Sequence, residues 1–283
     1  MNRISKNYIF LLGLGIVILY IITSIFAPYI TKYAPDEMNP DDMLMPPNKK
    51  HIFGTDQFGR DIFTRIIYGT RVSFLVSTLS VSISIIFGVT IGLISGFFGG
   101  WIDNLFMRIM DVIFTFPAML LAIFIMAVLG ETIFNVILAI GIIYTPQFAR
   151  VTRASVLSVK NMDYIQAAIA LGISQFNIIT KHILRNILAS IIVQTSLTLS
   201  LAILLESALS FLGLGVQPPA PSWGNMLSRS REFMIIAPWT AIFPGIVIVI
   251  LVLGFNLLGD GLRDILDPKL RATNTYKINK SNK

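Results

Sequence analysis

The sequence predicts an all-α integral membrane protein with six transmembrane helices. Composition is the first reason: of 283 residues, 54% are hydrophobic and only 13% charged, whereas soluble domains carry about 25% charged residues. The second is a mean hydropathy of +0.75 over the whole chain. Third, six segments match the roughly 20 apolar residues a helix needs to cross about 30 Å of hydrocarbon. They are Tyr8–Ala27, Val72–Phe98, Val112–Gly130, Thr132–Ala149, Ile187–Val216 and Phe233–Gly259.

The first segment follows Arg3 and Lys6 and so imitates a secretory signal. Its uncharged run, 7–31, exceeds the roughly 7–15-residue apolar core of such a signal and lacks a clean cleavage site, so it reads as a retained span. Gly96, Gly99 and Gly100 close the second span. Only Gly130 and Glu131 separate the third from the fourth, which predicts a tight helical hairpin. The fifth carries one carboxylate, Glu206, and is closed by Gly213, Gly215, Pro218 and Pro219. Glycine tolerates the left-handed cap that ends a helix, and proline cannot continue its hydrogen-bond ladder.

Lysine and arginine in short loops set orientation. One side collects Arg3, Lys6, Arg108, Arg150, Arg153, Lys160, Lys181 and Arg185, then Arg263 and the lysine-rich tail. The other holds Arg229, Arg231 and the long 28–71 segment, whose basic and acidic residues balance. Both termini and the 150–186 region are therefore expected in the cytoplasm. The net charge of +7 comes without a basic run or an aromatic–basic stripe. It fits the flanks of membrane helices and excludes a nucleic-acid partner; the lipid bilayer is the expected surroundings.

The 150–186 region is too long for a turn and too polar to span. Asn161 or Asp163 is suited to cap a helix over Tyr164–Leu171, Gly172 ends it, and a second short helix follows over Phe176–Leu184. Two short helices meeting at glycine make a knob at the membrane surface. Ala167, Ala168 and Ala170 let another surface approach its backbone. An amphipathic helix lying on lipid headgroups is an equal alternative at this point.

Chemistry-bearing residues are few. The absence of cysteine excludes disulfides and thiolate metal sites. His51 and His182 fall on opposite sides and lack partners at ligand spacing, so no metal is expected. No Gly-x4-Gly-Lys-Ser/Thr loop, His-Glu-x-x-His or Gly-x-Ser-x-Gly motif occurs, so the chain is expected to bind no ATP and to catalyse nothing. Glu206, an ionisable group inside a span, is a functional candidate. It either latches helices or subunits together or contacts the translocation path.

In GTDQFGRD (54–61), Gly54, Thr55, Asp56, Gly59, Arg60 and Asp61 predict a loop held by Asp–Arg pairs and placed to meet a partner. Asp56 and Asp61 have no evident base for catalysis. QPPAPSW (217–223) reads as a rigid turn with Trp223 at the membrane interface. Gly88, Gly92 and Gly96 suit close helix packing. Phe97, Phe98, Phe114 and Phe116 are lipid-facing or core, and Asp260, Arg263 and Asp264 are expected to form exposed pairs.

DYIQAAIALGISQFNIITKHILRN (163–186) resembles the EAA loop of binding-protein-dependent ABC importer permeases. Ala167, Ala168, Gly172 and Leu184 fall on that pattern. Gln166 replaces its glutamate, His182 its isoleucine and Arg185 its proline. HIFGTDQFGRDIFTRIIYGTRVS (51–73), GFFGGWIDNLFMRIMDVIFTFP (96–117), LLESALSFLGLGVQPPAPSWGNML (204–227), APW (237–239) and NLLGDGLRDILDPKLR (256–271) are similar to the dipeptide/oligopeptide/nickel branch.

The resemblance, to the C-type (DppC/OppC-like) permease family, implies a type I (MetI-like) fold. It divides the chain into a first helix (1–30), an extracytoplasmic segment (31–70), a permease domain (71–260) with its coupling loop (161–186), and a basic tail (261–283). It implies a paralogous B-type permease subunit as heterodimer partner, two ABC ATPase subunits that use ATP and Mg and dock at the coupling loop, and an extracytoplasmic solute-binding protein. Peptides are the favoured cargo, with nickel or a metal–chelator complex as the alternative. The rival from another class, a stand-alone secondary transporter, usually carries more intramembrane ionisable groups or broken helices.

Overall fold

A computed structural model describes residues 7–266. The basic tail beyond them, Arg3 and Lys6 lie outside the described residues. Regular secondary structure in this range is helical, apart from a single isolated antiparallel bridge between Thr55 and Asp61. Apart from a single helical turn over Ala27–Ile30, the α-helices are α1 (Tyr8–Ile25), α2 (Ile62–Phe98), α3 (Gly100–Thr115), α4 (Ala118–Leu129), α5 (Ile133–Lys160), α6 (Asp163–Ala170), α7 (Gln175–Phe211), α8 (Trp223–Ser230) and α9 (Trp239–Leu266).

Among the described residues, five helices are long and apolar enough to cross a membrane: α1, α2, α5, α7 and α9. The expected third span is not one helix. α3 and α4 meet at 93°, and only as a bent pair do they make a sixth crossing. Pro117 is the cause. It has no N–H for the ladder, and it drives Phe116 into the extended region (φ −79°, ψ 135°). The 12 residues of α4 reach only about 18 Å at 1.5 Å per residue.

Two helices are longer than the hydropathy suggests. α2 begins at Ile62 rather than Val72, because Asp61 caps it by accepting the Thr64 N–H at 2.8 Å. Arg65 and Arg71 interrupt the apolar run, yet Arg65 is buried, its guanidinium donating to the Pro35 carbonyl at 2.6 Å. α7 runs without a break from Gln175 to Phe211, taking in the expected second short helix and most of span five; residues Ile178–Ile183 are π-helical. α9 starts at Trp239, after a 3₁₀ turn over Arg231–Phe233.

The centre of the bundle is the α2–α5 contact. Gly88, Gly92 and Gly96 lie against Phe148, Thr152 and Val156, and a Cβ on Gly88 would fall 2.5 Å from that of Phe148. On the other side α1 lies on α9, where a Cβ on Gly13 would meet the Leu258 nitrogen at 2.5 Å. Small residues let backbones approach where lipid supplies no hydrophobic drive for helices to associate. Two ion pairs tie α3 to α5. Arg153 grips Asp103 through two bonds of 2.6 Å, and Arg150 meets Asp111 at 2.7 Å.

Trp223 departs from expectation. It is fully buried, donates its ring N–H to the Ile66 carbonyl at 3.1 Å and packs edge-on against Tyr20 at 6.1 Å. Its indole partner is therefore protein backbone and not the lipid interface. Phe97 is core, while Phe98, Phe114 and Phe116 are exposed. Asp260, Arg263 and Asp264 are exposed but make no ion pair among the described residues.

Candidate functional site: an elbow and a cap at opposite ends

α5 ends at Lys160, which bonds the Phe97 carbonyl near the end of α2. There the chain turns into α6. Met162 occupies the N-cap and makes no side-chain bond, so neither Asn161 nor Asp163 is the cap. Asp163 sits instead in the first turn, where its charge complements the helix dipole. Gly172 ends α6 with φ +73°, a left-handed conformation natural to glycine. The chain then enters α7 directly, making an elbow of one short helix and one 37-residue helix.

The six elbow residues singled out from the sequence do not share a face. Gln166, Ala167 and Gly172 point outward, and the Gln166 amide donates to the Lys160 carbonyl at 3.0 Å. Ala168, expected in the open face, is only 5% exposed and joins Ile165, Ile178 and Ile183 in the core. The helical period explains this, since residues 165 and 168 share one side. His182 and Leu184 are half-buried. Sequence reasoning missed Leu171 (81% exposed) and Phe176 (74% exposed), which flank Gly172. Large apolar side chains in a polar loop were the available signal.

The cap lies at the other end, before α2. Asp56 accepts the Phe58 and Arg60 backbone N–H groups and pairs with the Arg60 guanidinium at 2.6 Å. Asp61 does have a base beside it, against expectation: His51 Nδ1 lies 2.8 Å from its carboxylate, while its other oxygen caps α2. Asp42 stands 3.5 Å from the other ring nitrogen of His51, Nε2, and bonds Lys50, whose hydrogen bond holds the Asp42 carboxyl below its ordinary range.

Gly59 has φ +72°, and a Cβ there would fall 1.8 Å from the Asn39 carbonyl oxygen. Gly54 is pressed against Met45 and Trp239. Thr55 accepts the Met45 N–H at 2.8 Å. All six cap residues, Gly54, Thr55, Asp56, Gly59, Arg60 and Asp61, come together and are buried. They fold the loop; Ile52 and Phe58 are its exposed apolar side chains.

Glu206 is completely buried near the end of α7. It accepts hydrogen bonds from Ser73 of α2 at 3.0 Å and Ser210 at 2.9 Å, and Ser210 in turn accepts the Val216 N–H at 3.2 Å. These bonds join α2, α7 and the following loop. Among the described residues no three His, Asp or Glu side chains gather as metal ligands.

A bundle of apolar spans that places a folded, helical elbow at one end and a cap at the other is the architecture of a multi-pass membrane protein. Residues 88–272 match the family model of the binding-protein-dependent transport system inner membrane component, and residues 1–47 match the N-terminal TM domain of oligopeptide transport permease C. The chain belongs to this family of ABC importer permeases.

It is 50% identical over 271 residues to the dipeptide transport system permease protein DppC of Alkalihalophilus pseudofirmus, covering 96% of this chain and 89% of that one. It is 44% identical to the glutathione transport system permease protein GsiD of Pectobacterium atrosepticum, covering 90% of this chain and 85% of the relative. A structure of the inward-facing MetNI methionine ABC transporter superposes with a TM-score of 0.57 at 18% identity, covering 73% of this chain and 98% of the matched chain. That likeness shows a shared fold.

Proposed function

We propose that this chain is the C-type half of a peptide importer. It pairs with a paralogous B-type permease, seats its elbow in one of two ABC ATPase subunits, and receives dipeptides or oligopeptides from an extracytoplasmic solute-binding protein at the cap. Both termini and the elbow lie in the cytoplasm, in keeping with the lysine and arginine bias. ATP and Mg serve the ATPase subunits. Peptide cargo is favoured over nickel by relatives whose names specify dipeptide and glutathione transport.

The observation that carries this reading is the elbow's shape. Leu171 and Phe176 stand exposed on either side of Gly172, an apolar pair suited to a pocket on a partner. Displacement there travels along α7, one continuous helix reaching Glu206 and Ser210. The Gln166–Lys160 bond ties α6 to α5, so the elbow moves with two spans. A packed helix transmits a displacement that a loose joint would absorb.

The test is Leu171→Asp in the complete importer reconstituted in proteoliposomes. Loss of an apolar anchor of about 2 kcal/mol or more corresponds to roughly a 30-fold loss of ATPase docking. Cargo-stimulated ATP hydrolysis and uptake should collapse together, while membrane insertion stays normal. Undiminished coupling in this variant would refute the docking role.

A further inference from the structure

Two cavities open along the same pair of helix faces. One, of about 530 Å³, is bounded by Val151 of α5, Ser190 and Gln194 of α7, and Arg263 of α9. The second, of about 360 Å³, lies further from the elbow, at the α3–α4 bend, against Tyr144 and Gln147 of α5 and Leu201 of α7. Residues 144, 147 and 151 recur at helical spacing on α5, as do 190, 194, 197 and 201 on α7, so the cavities lie along one groove.

The lining has a definite chemistry. Gln194 is only 8% exposed, and its amide nitrogen donates to Thr198 at 3.0 Å. Its carbonyl oxygen receives no bond from any described residue. Gln194 lines the cavity, so this oxygen is open to a donor brought by a ligand. Among the described residues, Arg263 is the only charged one lining either cavity, and no carboxylate does. A bare divalent cation would find, among the described residues, one like charge and neither a carboxylate nor an imidazole, the side chains that usually hold such ions. A short peptide offers N–H groups to Gln194 and a carboxylate to Arg263. Pockets of roughly 300–1,000 Å³ suit small ligands.

The geometry points to this groove as the half-passage for a zwitterionic peptide, with Gln194 bonding its amides and Arg263 meeting its carboxylate at the elbow-side mouth. This rests on the importer reading above and adds the residues that touch cargo. Glu206, sealed behind its serines, is outside the passage.

The complete importer, reconstituted in proteoliposomes and supplied with ATP and radiolabelled dialanine, tests it. Losing one such hydrogen bond is worth about a fivefold change in affinity. Gln194→Leu should therefore raise the uptake KM about fivefold, and Gln194→Asn, which keeps an amide, less than about twofold. The chain has no cysteine, so Ser190→Cys supplies a thiol unique within this subunit, on which labelling is read. A charged maleimide should label it in the assembled complex, and saturating dialanine under turnover should slow labelling.

An unmoved KM in Gln194→Leu would overturn the assignment. So would labelling indifferent to dialanine, or a thiol already shielded without cargo because the partner permease fills the groove. If Gln194→Leu does not assemble, the thiol decides alone. Failure of ATP-driven uptake in the unsubstituted complex would sink the importer reading and this one with it; normal uptake with any of the preceding results would sink this one only.

Discussion

Glu206 on α7 accepts a hydrogen bond from Ser73 on α2 at 3.0 Å, across 133 positions of sequence, with both residues wholly buried. A carboxylate at this depth stays in place because its neighbours, Ser73, Ser207 and Ser210, all present hydroxyls to it. These bonds tie the cap end of α7 to α2.

Replacing Glu206 by leucine leaves three hydroxyls facing an apolar group, and each stranded polar group costs about 1–3 kcal/mol. The detergent-solubilised protein should lose several degrees of Tm, measured by thermal unfolding. The KM of whatever complex still assembles should be unchanged, since Glu206 is outside the groove. A specific rise in KM with an unchanged Tm would place it in contact with cargo instead.

Gly88→Val should be among the most damaging single changes. The new Cβ would sit 2.5 Å from that of Phe148 and 2.6 Å from the Thr145 carbonyl oxygen, so α2 and α5 must separate. Overpacking of this kind typically costs about 1–3 kcal/mol. Yield of folded protein in a fluorescence-detected gel-filtration assay should fall sharply, whereas Gly15→Ala, where a Cβ meets nothing within 4 Å, should be silent.

Gly172→Val tests the elbow without adding a clash, because a Cβ there also meets nothing within 4 Å. Its φ of +73° is strained for a side chain by about 1–2 kcal/mol. The variant should insert and fold but lose stimulated ATPase activity in the reconstituted complex. Gly172→Asn, with a side chain that tolerates the left-handed region, should recover most of it.

The cap should lose one contribution to its stability in acid, with a definite sign. Lys50 holds Asp42 ionised below its usual value of 3.8. A depressed carboxyl stabilises the folded state above its unfolded pKa, and that contribution disappears as pH falls through the folded one. Limited proteolysis should find the cap resistant at neutral pH and increasingly cut only below pH 3.8. Lys50→Met should move the onset upward, towards that value. An onset that Lys50→Met leaves in place would remove the pair from the cap's stability.

Much of the architecture was legible in the one-dimensional pattern because the bilayer imposes a length rule on apolar runs. The hairpin at Gly130 and the stop at Gly99 follow from glycine's conformational range, and the glycine row at 88, 92 and 96 announced a close contact. The 54–61 motif could be read as a loop held by Asp–Arg pairs, and the pair at Asp56 and Arg60 is there.

What hydropathy could not determine was continuity and direction. It averages over windows, so it saw neither the 93° break at Pro117 nor the extension of α7 through the π-helical segment. Nor does a local pattern reveal pairing over long separations. Trp223 lies against Ile66 and Tyr20, His51 between two aspartates, and Ala168 in the core, because the tertiary fold closed around them. Residue types and spacing decided that this chain spans a membrane and bends at Gly172. Only three-dimensional packing decided which side chains of those segments remain open to a partner or a cargo.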